Sequence, residues 1–544
     1  PSDSRPHGVL KLAANLFSAL QHGHRDWMTE RAKRDTVRCQ YRLNLGGYSK
    51  KLDHPSLRAR ALLLLGVLPI FVALLIYSVT WSFVWDEGFH LIAAHLIGGG
   101  KRPYIDFCFP QTPLNAYINA AILLIFGEKW RPVHVLAALY ICLTVWLVAD
   151  FIQTRLPAGR WRTPCALAAA AMFGLNPVVV EFGPSGQAYA IGMLLVTAAF
   201  RAALPAVSSR RIWFPFLAGL CAGGAAASTL LTVPVPAVLL VWLVFCSSAG
   251  SRLAKAGAYL LGCALPFAPV IGLFFQGPRQ TLFNILQYQT LYRRSNWGDA
   301  NKHDLDALTL WLTSPEALIL LVLFAAAMIY LFRENHAAWT VAWREFLLAA
   351  ALAVAMVLFI STAHPTFERY YCVGVPFLVM VAALGIYAAG SRLASPNRAW
   401  LSSGLLITLT YFMFFRSLLD QKDDEHWSDY DEVVQKVNEV TPAGANLFAD
   451  EPIFFLMQRD PPEGLAFSYA EKLELPLAQE KLFHVVSDKE IKQELKAGHF
   501  ATFETCRSAI MDGIEPAPYF RKHLGTGDCD VFWEPKADAS TGKQ

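Results

Sequence analysis

Apolar residues in this chain gather into long continuous runs instead of recurring at the spacing of a half-buried helix or strand. A bilayer crossing needs roughly 17–25 mostly apolar residues. Runs of that kind fall near residues 60–84, 132–152, 164–181, 187–204, 212–231, 233–249, 256–276, 315–333, 345–362, 371–391 and 400–419. The pattern predicts eleven transmembrane helices and an all-α polytopic membrane bundle over residues 60–419. The first run is too long for the apolar region of a signal peptide and reads as a span. The run 114–126 is shorter and is interrupted by Asn115 and Asn119.

Charge decides what that shorter run does. Arg155, Arg160 and Arg162, then Arg201, Arg210 and Arg211, then Arg252 and Lys255, then Arg333 and Arg344, then Arg392 and Arg398 lie on successive connections. Cytoplasmic loops collect Lys and Arg. All five connections share the side of the basic N-terminal arm only if 114–126 stays in the interface as a surface or re-entrant helix. The opposite side then receives the first outer loop 85–131, the segment 182–186, the turn near 232, the segments 277–314 and 363–370, and the tail.

Composition agrees with this division. The chain is 54% hydrophobic and 17% charged, against about 25% charged in soluble domains. Residues 1–59 form a basic arm expected on the cytoplasmic face beside anionic lipid, a reading preferred to nucleic-acid contact. Residues 420–544 carry thirteen Lys/Arg against twenty-five Asp/Glu and read as a small extracytoplasmic α/β domain. Ser428 opens an amphipathic stretch with Val433, Val434, Val437 and Val440 on one stripe. Ser487 and Glu490 suggest a capping box, Gly498 a helix stop, and 453–457, 500–503 and 531–533 suggest strands. The ten cysteines show no metal-type spacing. Cys506 and Cys529 can pair if the tail lies outside the cytoplasm.

The outer loops hold the candidate chemistry. Asp86 and Glu87 follow the first span, ahead of Phe89, Ile92, Ala93, Leu96 and Ile97, spaced for a helix lying in the interface. A carboxylate at the foot of an apolar wall suits a general base acting on an acceptor hydroxyl. The bland alternative is two solvated acids at a helix end. Arg293 and Arg294 in the second long outer loop run against the positive-inside bias, and a phosphate ligand would account for them. The third loop reads His364-Pro365-Thr366-Phe367-Glu368-Arg369-Tyr370, with Arg369 at the membrane edge.

These residues resemble the GT-C superfamily of polyprenyl-phosphate-sugar glycosyltransferases, in the branch of protein O-mannosyltransferases and lipid A aminoarabinose transferases. The likeness is carried by Asp86-Glu87, by Pro103-Tyr104-Ile105-Asp106-Phe107 with Gln111-Thr112-Pro113-Leu114, and by Arg369-Tyr370 before a span containing Pro376. The resemblance implies Asp86 as catalytic base with Glu87 in support, and Asp106 as a second loop carboxylate. It also implies Arg369 on the donor phosphate, with Tyr370, Arg293, Arg294, Gln111, Tyr104 and His364 as substrate-binding candidates. Some relatives carry an acid and a Lys where this chain has Gln111-Thr112, so the sequence does not require a divalent metal. The expected partners are a polyprenyl-phosphate sugar donor, a glycan, lipid or protein acceptor, and membrane lipid. The expected location is a bacterial inner membrane with the site on the periplasmic face. A transporter or flippase would place ionisable residues near span centres and show internal repeats; neither is evident here. A polysaccharide polymerase or ligase remains the alternative within the enzyme class.

Overall fold

The computed structural model describes residues 56–157, 159–293, 299–333, 342–393, 398–471, 473–506 and 514–536. The basic arm and Arg294 lie outside them.

Helix α1 (Leu57–Thr80) begins where the Ser56 hydroxyl accepts from the Ala59 amide at 3.2 Å. Leu63, Val67, Ile70, Leu74 and Tyr77 bury one stripe, while Leu64, Leu65, Leu68, Val72 and Ile76 stay exposed. An apolar stripe inside and an apolar stripe outside is the pattern of a helix between protein and lipid. Among the described residues, eight helices are long and apolar enough to cross a membrane: α1, Trp130–Arg155, Tyr189–Ser208, Ala249–Gln276, Pro315–Arg333, Ala342–Ile360, Glu368–Arg392 and Ala399–Asp420.

The other three expected spans are shorter than the runs suggested. The 164–181 run is two helices, Arg162–Gly174 and Pro177–Phe182, because Pro177 offers no amide to continue the first. The 212–249 region divides into Trp213–Ser228 and Pro234–Cys246 around an extended Thr229 (φ −151°, ψ 131°). Close backbone approach holds parts of the bundle together. A Cβ at Gly219 or Gly223 would lie 2.0 Å from the Tyr259 carbonyl oxygen or 2.2 Å from that of Cys263. Small residues one turn apart are a recurrent way for membrane helices to meet.

Helix α2 (Glu87–Gly98) and helix α3 (Leu114–Phe126) form the first loop, with α4 (Trp130–Arg155) following. At 13 residues, α3 is too short for a crossing. The tail contains a four-stranded sheet of β1 (Leu447–Phe448), β2 (Thr502–Thr505), β3 (Phe520–Thr526) and β4 (Cys529–Pro535). The strand order is β1-β2-β4-β3, with β1 parallel to β2 and the other pairs antiparallel. Cys506 and Cys529 are disulfide-bonded.

Two readings of the tail need correction. The 453–457 run belongs to a helix, Glu451–Leu456, with Pro452 in its first turn, where proline's missing amide costs nothing. Ser487 precedes helix Asp488–Lys496 but makes no side-chain cap bond. Gly498 does close that helix region with φ 68°. The stripe over Tyr430–Val440 buries Val433 and Val437. This face joins Trp427, Ile453 and Phe454 in one apolar core with Phe89, Leu91 and Ile92 of α2. A Cβ at Gly88 would sit 2.6 Å from the Pro452 ring, so the tail packs directly on the first loop.

Candidate active site

Asp86 occupies the N-cap position of α2 yet makes no capping bond of its own. Its carboxylate is therefore free to act elsewhere. One oxygen pairs with the Arg369 guanidinium, and the other accepts the Tyr469 hydroxyl at 2.6 Å. Adjacent side chains on a helix point about 100° apart, and Glu87 accordingly goes another way. It is fully buried, and its Oε1 accepts the Gly186 amide at 2.7 Å and meets His134 Nε2 at 2.6 Å. His134 Nδ1 lies 2.8 Å from the Ser78 carbonyl oxygen, so that nitrogen carries the proton it donates. The Gly186 carbonyl accepts from Asn115 at 2.8 Å and Asn119 at 2.7 Å. The two asparagines that interrupt the α3 run thus fasten it to the turn that Glu87 also holds. A Cβ at Gly186 would lie 2.8 Å from Glu87 Oε1, so this contact needs glycine.

A cavity of about 460 Å³ opens beside Asp86. Gln111, Arg293, Arg369 and Tyr370 line it with Asp86. Arg293 arrives at the end of a π-helical turn, Phe283–Tyr292, a form often found at functional sites. The guanidinium donates to Gln289 at 3.2 Å and to the Tyr370 hydroxyl, and Gln289 in turn donates to the Pro110 carbonyl at 2.6 Å. Arg369 also stacks over Phe367, 4.3 Å from the ring centre, a favourable place for a guanidinium.

The remaining expected site residues lie off the cavity wall. Asp106 turns back on Arg102, accepting its backbone amide at 2.7 Å and side chain at 2.8–2.9 Å. The Arg102 bonds hold its carboxyl below the usual carboxylate range. Tyr104 is buried with φ 71° and donates its hydroxyl to the Gln111 carbonyl at 2.6 Å, which positions Gln111. His364 pairs with Asp304. Glu87, Asp106, Tyr104 and His364 thus build the loops around the cavity.

Several lining residues have no counterpart among the sequence candidates. Tyr469, Phe467 and Leu473 come from the tail, and His90, Gln187 and Tyr189 from the membrane-side elements. His90 is the one with a sequence signal, a histidine four positions after Asp86 on an otherwise apolar helix face. Burial pushes its pKa down to about 4, against a smaller opposing pull from Asp86.

The residues present bear on a divalent metal. Asp86 is the only acidic side chain among the described residues lining the cavity, and both its oxygens are engaged. A hard cation wants several oxygen ligands, of which Asp86 is the one carboxylate among the described lining residues. Glu504, Cys506 and Cys529 cluster in the tail, where the disulfide occupies both sulfurs.

The described residues form a polytopic bundle of apolar helices with a small mixed-sheet domain and a cavity that gathers Asp86, Arg293 and Arg369. Residues 110–273 match the family described as dolichyl-phosphate-mannose-protein mannosyltransferase. The fold is similar to that of ArnT from Cupriavidus metallidurans bound to undecaprenyl phosphate, with TM-score 0.61 and 13% identity over 89% of this chain and 100% of that one. The apo state of the same protein matches with TM-score 0.61 and 14% identity over 88% and 100%. The apo oligosaccharyltransferase of Archaeoglobus fulgidus matches with TM-score 0.51 and 13% identity over 82% and 70%. No curated protein matches the sequence.

Proposed function

We propose that this chain transfers a sugar from a polyprenyl-phosphate donor to a hydroxyl acceptor, with Asp86 as general base, on the extracytoplasmic face of the membrane. The observation that carries the reading is the meeting of Asp86 with Arg369 and Arg293 in one cavity at the end of an apolar bundle. A structurally similar protein binds undecaprenyl phosphate, which supports the donor class. The disulfide supports an oxidising compartment for the tail and hence for the cavity it helps line.

The donor phosphate enters toward Arg293 and Arg369, whose forked donors suit phosphate oxygens. Arg369 then has an anionic partner other than Asp86, and the carboxylate is released to face the acceptor. The acceptor O–H gives its proton to Asp86 as its oxygen bonds to the anomeric carbon. The bond from that carbon to the phosphate oxygen breaks, and its electron pair leaves with the polyprenyl phosphate. Attack from the side opposite the phosphate inverts the anomeric configuration. The two guanidinium groups meet the charge that grows on the leaving phosphate, a preorganised stabilisation that is often the largest catalytic contribution.

The test is transfer from a panel of polyprenyl-phosphate sugars, radiolabelled in the sugar, with source membranes supplying the acceptor. Label should reach a membrane product only when purified chain is added. A chain that transfers from no member of the panel contradicts the reading.

A further inference from the structure

The cavity contains two buried polar groups that the proposed transfer does not use. His90 is 7% exposed and its Nδ1 has no hydrogen-bond partner; Gln187 is 4% exposed and its Oε1 has none. Both line the same cavity as Asp86. The His90 ring is held by aromatic neighbours, stacked on Phe89 at 4.3 Å and edge-on to Phe109 at 5.8 Å. Buried polar atoms without partners are rare in native structures and costly, and a cavity wall is where a ligand can satisfy them. An imidazole and a carboxamide are neutral groups that both donate and accept, the pairing that sugar hydroxyls require.

Charge narrows the ligand further. The described lining residues contribute two guanidinium groups, Arg293 and Arg369, and one carboxylate, Asp86. A phosphodiester donor adds one negative charge, and the sum then closes at zero. An ammonium group on the sugar would leave one positive charge uncompensated near two guanidinium groups, and like charges repel. With its pKa near 4, His90 stays neutral at physiological pH and adds no charge.

We propose that this cavity takes an uncharged sugar, its hydroxyls hydrogen-bonding to His90 and Gln187, and rejects an amino sugar. The proposal rests on the donor class given above and names the kind of sugar the donor carries. His90 and Gln187 are specificity residues.

Binding separates the two levels. The full chain in detergent is titrated with three phosphodiesters that carry the same single phosphate charge: undecaprenyl methyl phosphate as the bare lipid, undecaprenyl mannosyl phosphate and undecaprenyl 4-amino-pentosyl phosphate. The mannosyl lipid should bind about tenfold more tightly than the bare lipid, the gain from partnering one or two buried polar groups. The amino-sugar lipid should bind no better than the bare lipid. His90→Ala should remove the gain for the mannosyl lipid and leave bare-lipid binding within about twofold. Gln187→Glu supplies the missing carboxylate and should reverse the order in favour of the amino sugar.

Equal affinity for the bare and mannosyl lipids overturns the sugar subsite while leaving the donor class intact. Tighter binding of the amino-sugar lipid by the unaltered chain overturns it as well. No binding of any of the three contradicts the donor class itself, and the subsite falls with it. A His90→Ala protein that loses the bare lipid too leaves the unaltered chain's order and the Gln187→Glu reversal to decide.

Discussion

Arg369 and Asp86 stand 283 positions apart in the chain and meet as an ion pair on the cavity wall, each about one-fifth exposed. The pair joins the end of the first span to the start of a late one. A bidentate guanidinium can hold a carboxylate and later a phosphate, whereas a lysine ammonium is a point charge. Arg369→Lys should therefore weaken undecaprenyl phosphate binding about tenfold. Titration of the purified variant checks this, and unchanged affinity would remove Arg369 from the phosphate site.

Tyr469 brings the tail into the site by donating to the second Asp86 oxygen at 2.6 Å. Tyr469→Phe keeps the ring and deletes only that bond. The turnover rate should fall by about ten- to hundredfold, the scale of one hydrogen bond to a charged group, with lipid affinity preserved. A change in affinity alone would make Tyr469 a lipid contact and not a group that positions Asp86.

Glu87 and His134 form a fully buried pair. Removing one partner of such a pair costs about 3–5 kcal/mol because the other is left buried and unsatisfied. Glu87→Ala should sharply lower the yield and melting temperature of folded protein in detergent. Glu87→Gln, which can still accept from Gly186, should fold closer to normally. A catalytic Glu87 would instead show normal folding of Glu87→Ala with lost turnover.

The depressed His90 pKa makes stability depend on pH. An unfolded His binds a proton below about 6.5, while the buried His90 resists protonation until about 4. The unfolded state therefore takes up the proton first, and stability falls as pH drops through this window and is unaffected above it. Between pH 7.5 and 5 the loss attributable to His90 is about 2 kcal/mol. Melting curves at the two pH values should show a larger drop for the unaltered protein than for His90→Gln. Equal drops would mean that His90 titrates normally.

The membrane bundle was legible because apolar runs declare their own length. The spans that came out short did so at Pro177 and Thr229, where local backbone chemistry overrides hydropathy. Asp86 and Arg369 could be picked out as polar residues at run ends. The resemblance ranks Asp86 above Glu87, but adjacency in sequence hides the turn of the helix that sends one to the cavity and the other into the core. Tyr469 carried no local signal, because its role exists only after the tail packs on α2. Five apolar residues at 453–457 fit strand and helix alike, and Pro452 at the first turn is what favours the helix.

The most direct test of the account is Asp86→Asn, which preserves shape and removes the base. In detergent, the variant should bind undecaprenyl phosphate within a few-fold of the unaltered chain. Its rate of sugar transfer, measured with the lipid-linked sugar that supports turnover, should fall by a factor of about 10²–10⁴. Transfer at the unaltered rate, from an equal amount of folded protein, would contradict the assignment of Asp86 as base.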